Sequence, residues 1–258
     1  EGEVNILNQS WRVPDTVQSI AQGIIRRVKH RRPKTWKPRD GEGSVEKIYD
    51  FENTSIRGEE SVMFLARNRK QLPRIADYLS LSGVLFEIEG QPFVSEQITK
   101  AIVNWEHLRR GQSKLISEVL DIYKLMTSGK AVARGFMKLP EFGSHATVTM
   151  ETLQNHGGLL VDGPWNQVMS KIPGDQKLYL RRCITNREYL SKPPRVKLST
   201  IHGSKGGEAD HVILLTDMAR KTYQESLNDP DAEARVFYVA VTRTKKKLSI
   251  VQPTTQQH

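Results

Sequence analysis

The stretch STIHGSKGGEADHVILL, Ser199–Leu215, sets a glycine-rich segment between two apolar runs. The runs VKLSTI (Val196–Ile201) and HVILL (His211–Leu215) are short and aliphatic, as buried strands are. The residues between them leave three interpretations open. The segment is a cradle for a nucleotide phosphate, a loop that holds another ligand, or only a tight turn.

The phosphate-cradle interpretation fails on sequence and on context. A nucleotide-binding P-loop has the pattern G-x-x-x-x-G-K-[ST], preceded by a strand and followed by a helix. Here no Ser or Thr follows Lys205, no glycine stands five positions before Gly203, and a strand pattern follows. No other stretch supplies a P-loop. Two interpretations remain: a turn in which glycines adopt positive φ, and a loop whose amides and lysine face phosphates.

The chain on either side of this stretch alternates strand and helix patterns. A helix is predicted from near Pro73, between a strand at Ser61–Ala66 and a strand at Val84–Ile88. Upstream, the apolar spacing predicts a helix over Asp15–Lys29 and a strand within Ser44–Phe51. A strand–helix–strand order is the unit of a parallel sheet with crossover helices, so we predict an α/β fold.

The middle of the chain has a different character. Apolar residues recur at helical spacing over Ser95–Arg109 and again over Gln112–Thr127. The segment SKPPR, Ser191–Arg195, marks the end of this region, after which strand patterns return. We therefore predict one α/β domain formed by residues 1–91 and 194–258, with a mainly helical insertion at 92–193.

The balance of charge favours a polyanionic partner. Lys and Arg number 39 against 29 Asp and Glu, for a formal charge of +10. Eight cations and no acid lie in Arg26–Arg39, a stretch predicted to be largely loop, and four more lie in Arg243–Lys247. Nucleic acid is the first candidate, and a basic surface kept for solubility is the alternative. Trp36, within the first tract, could stack on a base.

Several classes of site are not indicated. No apolar run reaches the roughly 18 residues that cross a bilayer, and the opening EGEVN is not a signal peptide. One cysteine, Cys183, cannot form an internal disulfide, which favours a reducing compartment. The histidines are scattered, so no metal site is predicted, and no carboxylate cluster suggests a metal-dependent nuclease. These features predict a cytoplasmic, nucleoid-associated protein without a membrane partner.

Two long segments carry a family resemblance. HGSKGGEADHVIL and EARVFYVAVTRTKKKLSIV resemble motifs V and VI of the UvrD/Rep-like superfamily 1 DNA helicases, and LNQSWRVP, at Leu7–Pro14, resembles motif IV. FLARNRKQLPRIADYL and GVLFEIEGQPF resemble the segments between motif IV and the helical insertion of that family. The resemblance implies the second RecA-like domain of an ATP-dependent helicase. The absent N-terminal RecA-like domain would supply the P-loop and most of the Mg²⁺ ligands, so this chain alone should not hydrolyse ATP.

The resemblance also implies roles at the nucleotide. Arg243 of motif VI and Arg12 of motif IV would reach the γ-phosphate, and a guanidinium suits that task because it stays charged and binds phosphate bidentately. Trp11 would stack on adenine, unless it is a core tryptophan. Glu208 of motif V would accept a hydrogen bond from the ribose.

A further set of residues would contact single-stranded or partly duplex DNA. By position in motif V, the residues that would contact the DNA backbone are Thr200, His202, Gly203, Ser204 and Lys205. Arg67 and Asn68 match DNA contacts that follow an earlier strand. The expected partners are DNA, the N-terminal RecA-like domain of the same protein, and accessory repair or replication proteins. The alternative is a non-catalytic nucleic-acid-binding or protein-interaction module that kept the fold.

Overall fold

The computed structural model describes residues 8–31, 36–56, 58, 60–139, 142–143 and 145–253. The strands are β1 (Gln9–Pro14), β2 (Lys37–Arg39), β3 (Ser44–Ile48), β4 (Val62–Ala66), β5 (Phe86–Ile88), β6 (Gln91–Pro92), β7 (Lys114–Leu115), β8 (Thr147–Val148), β9 (Val196–Thr200), β10 (Ala209–Leu215) and β11 (Thr244–Val251). The helices are α1 (Asp15–Ile25), α2 (Leu72–Leu81), α3 (Glu96–Arg109), α4 (Ile116–Lys124), α5 (Met150–His156), α6 (Trp165–Val168), α7 (Gly174–Thr185), α8 (Arg220–Asn228) and α9 (Pro230–Val241).

A seven-stranded sheet organises the α/β part of the chain. Its strand order is β3-β11-β10-β4-β9-β5-β6, and the pairings from β3 through to β5 are parallel. All five residues of β4, VMFLA, are buried, as expected for a strand covered on both faces. The structure confirms the α/β prediction, with a mostly parallel sheet flanked by helices that agrees with a RecA-like fold.

The chain divides into two compact units. The first holds the described residues of Glu1–Leu79, Phe86–Gln91 and Pro194–His258, and the second holds those of Ser80–Leu85 and Pro92–Pro193. In the first unit, the apolar face of α1 packs with side chains of β4, β10 and α9 into one core. That core fixes the sheet edges from which the loops of the candidate site extend.

The second unit is mainly helical and has a core of its own. Helices α3 to α7 belong to it, with one short antiparallel pair, β7 and β8. Trp105 is fully buried and its indole nitrogen donates to the Gly163 carbonyl at 3.0 Å, while the buried Tyr123 hydroxyl donates to the Gly157 carbonyl at 3.0 Å. The polar atoms of these two buried aromatic side chains thus both have a backbone partner. In the part of the chain that the structure describes, no helix is long and apolar enough to cross a membrane.

Three local differences from the predicted elements have simple causes. Helix α1 ends at Ile25, because the backbone then tightens into turns that bond three residues back. The predicted loop of the basic tract contains strand β2, whose Lys37 amide donates to the Asn8 carbonyl at 2.7 Å as β2 pairs with β1. Helix α4 begins at Ile116 rather than Gln112, since the two residues before it pair as β7 with β8.

Candidate functional site

The glycine-rich loop runs from one edge of the sheet to the other. Thr200 pairs with Ala66, so it lies at the carboxyl ends of β9 and β4. Ala209 pairs with Thr244 at the amino ends of β10 and β11. Because all four strands are parallel, residues 201–208 connect the carboxyl edge of the sheet to its amino edge. The two ends of the loop therefore face different surroundings.

At the carboxyl edge the loop is a hydrogen-bonded turn. The Ser204 amide donates to the Thr200 carbonyl at 3.1 Å, and the buried Ser204 hydroxyl donates to the Ile201 carbonyl at 2.7 Å. The Gly203 amide donates to the Thr200 hydroxyl at 3.1 Å, and a Cβ on Gly203 would lie 2.7 Å from the Ser199 hydroxyl oxygen. The turn thus requires glycine at 203, and Ser204 serves the turn itself.

Two side chains of this turn are left for a ligand. His202 and Lys205 are exposed, and neither makes a hydrogen bond or ion pair with any residue that the structure describes. Gly206, with φ of +80° and open space around its Cα, leaves the backbone accessible beside Lys205. An imidazole, an ammonium group and an open backbone form a surface that suits phosphate oxygens.

At the amino edge Glu208 lies between two cations. Its carboxylate is 2.6 Å from the Lys245 ammonium nitrogen and 3.6 Å from the Arg12 guanidinium. Strand β1 carries Arg12, and the Ser10 hydroxyl organises that segment by accepting from the Arg12 and Val13 amides at 3.3 and 3.1 Å. Lys245 is the second residue of β11. Three separate parts of the chain therefore meet at one carboxylate.

Arg243 joins this group from the turn between α9 and β11. Its guanidinium donates to the Gly207 carbonyl at 3.3 Å, and its own carbonyl accepts from the Ala209 amide at 3.1 Å. Arg243 is thus fixed to the end of the glycine-rich loop from both its side chain and its backbone. We call Arg12, Glu208, Arg243 and Lys245 the amino-edge cluster.

The amino-edge cluster has a surplus of positive charge. The hydrogen bond from Lys245 is the strongest influence on Glu208 and, with the charge of Arg12, holds the pKa of that carboxyl below its usual value. Burial lowers the pKa of Arg243, and the neighbouring charge of Arg12 lowers it further, while Glu208 opposes both. Three cations share one carboxylate. The net positive charge of the cluster therefore favours the binding of an anion.

Two guanidinium nitrogens of the cluster are also unsatisfied. The Nε atoms of Arg12 and Arg243 are buried, and neither has a hydrogen-bond partner among the residues placed by the structure. A buried donor without an acceptor is costly, so an acceptor from a ligand would stabilise the arrangement. The donors present here fit the oxygens of a phosphate chain.

Trp11 stands beside the cluster in an open position. It precedes Arg12 on β1, and 85% of its surface is exposed. The alternative that Trp11 is a core residue is therefore wrong. An exposed indole one position before Arg12 offers a flat apolar surface of the size of a nucleobase.

Arg67 and Asn68 follow β4 and are engaged within the chain. The Arg67 guanidinium forms a two-point ion pair with Glu233 at 2.7 and 2.9 Å. The Asn68 amide nitrogen donates to the Thr222 hydroxyl at 2.8 Å, and its carbonyl oxygen accepts from the Ala219 amide at 2.6 Å. The structure thus joins these two residues to the helices α8 and α9 rather than to the exposed turn.

Comparison with known families addresses the carboxyl-terminal part of the chain. Residues 180–254 match the family model of the UvrD-like helicase C-terminal domain. Over these residues the chain is similar to a UvrD-like helicase C-terminal domain. The match covers somewhat under a third of the chain and includes both segments that resemble motifs V and VI, so that resemblance is confirmed. No curated protein matches the chain.

The run Lys245–Lys247 does not form the open cationic surface that a basic run in the sequence suggests. Lys245 contacts Glu208, Lys246 lies 3.1 Å from Glu60 and 3.3 Å from Asp210, and Lys247 lies 2.9 Å from Glu46. Each of the three ammonium groups therefore contacts at least one carboxylate within the chain. Their role is to hold acidic side chains of the sheet, and the run is not a free phosphate-binding surface.

Two residues of the cluster's surroundings were not predicted individually from the sequence. Lys245 is one of several cations in a run, and only its contact with Glu208 distinguishes it from the others. Arg39 was one member of the basic tract, and its guanidinium donates to the Lys245 carbonyl at 2.7 Å while its Nε is buried without a partner in the described chain. In the sequence, each is only a cation within a basic run, and that pattern singles out neither Lys245 nor Arg39.

The described part of the chain has no cluster of side chains that could hold a metal ion. Across residues 8–31, 36–56, 58, 60–139, 142–143 and 145–253, no group of three His, Cys, Asp or Glu side chains is placed to hold an ion. Cys183 is buried, and burial is the main cause that raises the pKa of its thiol to about 12. Such a thiol is a packing residue rather than a ligand or nucleophile.

Proposed function

We propose that this chain acts as the second motor domain of an ATP-dependent DNA helicase or translocase. The observation that carries the proposal is the pairing of Arg12 and Arg243 at one sheet edge, each with a buried nitrogen that lacks an acceptor. Guanidinium groups keep their charge and match phosphate geometry, and they stabilise the charge that develops on a transferring phosphoryl group. Trp11, exposed on the same strand as Arg12, would stack on the adenine.

The ATP in this proposal is held mainly by another domain. The first RecA-like domain of the same protein would contribute the P-loop and the Mg²⁺-binding carboxylates, and Mg²⁺ would neutralise charge on the β- and γ-phosphates. Arg12 and Arg243 would then reach the γ-phosphate from the opposite side. The described residues of this chain would contribute phosphate donors to that division, from Arg12 and Arg243.

Glu208 would have two successive partners. In the free domain it is the counter-ion of Lys245 and Arg12, at 2.6 and 3.6 Å. A phosphate chain at the cluster would compete with Glu208 for Arg12, since both are anions. The released carboxylate would then be free to accept a hydrogen bond from the ribose. Glu208 is the last residue of the glycine-rich loop, so this exchange of partners would couple nucleotide binding to the loop.

The other end of the loop would hold single-stranded DNA. Exposed His202 and Lys205, together with Thr200 and Gly203 of the turn and the open backbone at Gly206, would contact phosphates without reading sequence. Ser204 would support these contacts through the turn that it stabilises. Arg67 and Asn68 would act indirectly, by fixing α8 and α9 behind the same edge. Closure of the two motor domains on ATP would thereby be coupled to movement along the strand.

The biological setting of the proposal is correspondingly broad. An enzyme of this kind would act on single-stranded or partly duplex DNA of the nucleoid, in a reducing cytoplasm. Repair or replication proteins would be its accessory partners. The buried, unreactive Cys183 is compatible with such a compartment.

The decisive experiment measures DNA-stimulated ATP hydrolysis by the protein that includes the first RecA-like domain. Arg243→Ala should lower kcat by about 10³-fold, by analogy with arginine fingers, while nucleotide still binds to the P-loop. Arg220→Ala is the matched control, since Arg220 is an exposed arginine of the same unit and the substitution removes an equal charge. A near-normal rate for Arg243→Ala would remove Arg243 from this role, and the absence of DNA-stimulated hydrolysis by the unmodified protein would favour the non-catalytic module. The isolated chain should show no ATPase activity.

A further inference from the structure

A second cationic surface of the same unit has no role in the proposed motor site. Helix α1 is followed by a run of exposed cations, and Arg235 on α9 lies against the same backbone. We define the α1 basic patch as these five side chains: Arg26, Arg27, Lys29, Arg31 and Arg235. All five are exposed.

The backbone beneath the α1 basic patch is anchored. The Asp231 carboxylate accepts from the Lys29 amide at 3.0 and 3.1 Å and from the His30 amide at 3.2 Å. The Arg235 guanidinium donates to the His30 carbonyl at 2.8 Å, and Val28, between the cations, is buried. The patch is therefore a fixed part of the surface, held on α9 by polar contacts and by one apolar anchor. A preorganised surface loses less entropy on binding than a loose tail.

Most of the positive charge of the patch lacks an acidic partner in the described part of the chain; the exception is Arg235, whose charge acts on the nearby Asp231 carboxylate. Within the described residues, no ion pair involves Arg26, Arg27, Lys29 or Arg31. The acid nearest to their backbone, Asp231, is already occupied by two amides. The run Lys245–Lys247 is the contrast, because each of its ammonium groups contacts a carboxylate. Two basic segments of one chain thus differ in whether their charge is available to a partner.

The chemistry of the patch selects the kind of nucleic acid. Binding of single strands relies on exposed aromatic side chains that stack on bases. Trp36, the one aromatic residue in the tract Arg26–Arg39, is half-buried and packs on the core of the unit, and its carbonyl accepts from the Gln18 amide. What the patch offers is charge alone. A duplex presents about one negative charge per 1.7 Å of its axis and suits such a surface.

We propose that the α1 basic patch binds the phosphate backbone of a nucleic-acid duplex, without sequence preference. The interaction is separate from the ATP site and from the turn at Thr200–Lys205, and so goes beyond the function proposed above. Its competing explanation is structural: cations after the carboxyl end of a helix also stabilise the helix dipole. The test must therefore separate binding from folding.

The test uses the purified chain and fluorescein-labelled DNA, with fluorescence anisotropy as the readout. A duplex and a single strand of about 20 nucleotides are titrated between about 50 and 200 mM salt, the range over which phosphate contacts are lost. For Arg26→Gln/Arg27→Gln, the slope of log K against log salt should fall by about 1.8 on the duplex, because each phosphate contact contributes about 0.9. An RNA duplex of equal length shows whether the backbone geometry matters.

The matched control is Lys100→Gln/Lys124→Gln. It removes the same charge from lysines of the helical unit, each already paired with an acid, so the slope should not change. Thermal unfolding of both variants must stay within a few degrees of the unmodified chain. Three results would overturn the proposal: no duplex binding at low salt, equal slopes for the two double variants, or a larger loss on the single strand than on the duplex. Lys205→Ala, expected to weaken single-strand binding only, tests the proposed function separately.

Discussion

Two arginine-bearing edges of the same sheet differ in how completely their polar atoms are satisfied. After the carboxyl end of β4, Arg67 forms two short contacts with Glu233, and both side chains are largely buried. At the amino edge, Arg12 and Arg243 keep buried nitrogens without acceptors in the described chain. A residue type and a motif position do not distinguish these cases. What distinguishes them is whether their polar atoms have hydrogen-bond partners. A fully bonded network stabilises the fold, and a donor without a partner is available to a ligand.

The largest expected effect comes from disrupting the Arg67–Glu233 pair, the fully bonded side of this comparison. Arg67→Ala should lower the free energy of unfolding by about 3 kcal/mol, because it leaves the Glu233 carboxylate largely buried and unpaired. Arg243→Ala should change it by less than about 1 kcal/mol, since the guanidinium gives up one long hydrogen bond, to the Gly207 carbonyl at 3.3 Å, and its Nε has no partner to lose. Urea unfolding at neutral pH measures both values.

The control is the double variant Arg67→Ala/Glu233→Ala. Removal of both partners should recover part of the loss, because no buried charge remains. Equal destabilisation by Arg67→Ala and Arg243→Ala would show that the contrast between the two edges does not hold.

A second completed network lies inside the sheet and makes stability depend on pH. The buried His211 ring is 2.7 Å from the Ser249 hydroxyl, which donates to the Glu46 carboxylate at 2.6 Å. Burial is the main cause that lowers the pKa of His211 to about 4; Lys247 adds to the effect, and Glu46 and Glu60 oppose it. The unfolded chain, with a histidine pKa of about 6.5, takes up the proton first. Stability is therefore complete above pH ~6.5 and is lost as the pH falls toward 4.

The expected loss is about 2 kcal/mol between pH 7 and pH 5, from the linkage of this one group. Urea unfolding across that range measures it. His211→Asn, which cannot take up the proton, should reduce the pH dependence by about that amount. If His211→Asn kept the full pH dependence, that dependence would come from other groups. His211 would then not be one of the satisfied buried residues that stabilise the sheet.

The smallest effect on stability should come from the incomplete edge. Glu208→Gln should change the free energy of unfolding by less than about 1 kcal/mol, because Glu208 and its two cationic partners are all at least one-third exposed. The same substitution leaves Arg12 and Lys245 without their counter-ion. Inorganic pyrophosphate should then bind the isolated chain about fivefold more tightly, since one nearby repulsive charge costs about 1 kcal/mol in water.

Isothermal titration calorimetry measures that affinity. Glu60→Gln is the control, because Glu60 also pairs with a lysine, Lys246, and loses the same charge outside the cluster. Pyrophosphate affinity that rises equally in both variants would reflect net charge only, and would place no anion site at the amino-edge cluster.

Most of the fold could be predicted because its signals are local. The run VMFLA is apolar throughout, and its buried strand β4 follows directly from that pattern. Strand β2 was missed, since its three residues form a strand only through backbone bonds to β1, almost thirty residues earlier. The start of α4 was misplaced for a similar reason: Lys114 and Leu115 pair with residues from beyond α4. Long-range pairing overrides local preference at both places.

The site could be predicted in part for the same reason. Arg12, Glu208 and Arg243 lie in recognisable motifs, and the structure brings them together. The sequence could not show that Trp11 is exposed. Nor could it show that Glu233, 166 positions away, occupies Arg67. Exposure and partner choice depend on which distant segments meet, and composition or spacing does not encode them.

The order of strands in the sheet also has a consequence for synthesis on the ribosome. Strand β4 lies between β10 and β9, and both of these emerge only after the whole helical unit has been translated. The helical unit has many sequence-local contacts and can fold as it leaves the exit tunnel, whereas β4 waits as an uncovered apolar strand. Nascent chains stalled before Val196 should therefore recruit chaperones at β4, and chains released beyond Val251 should not.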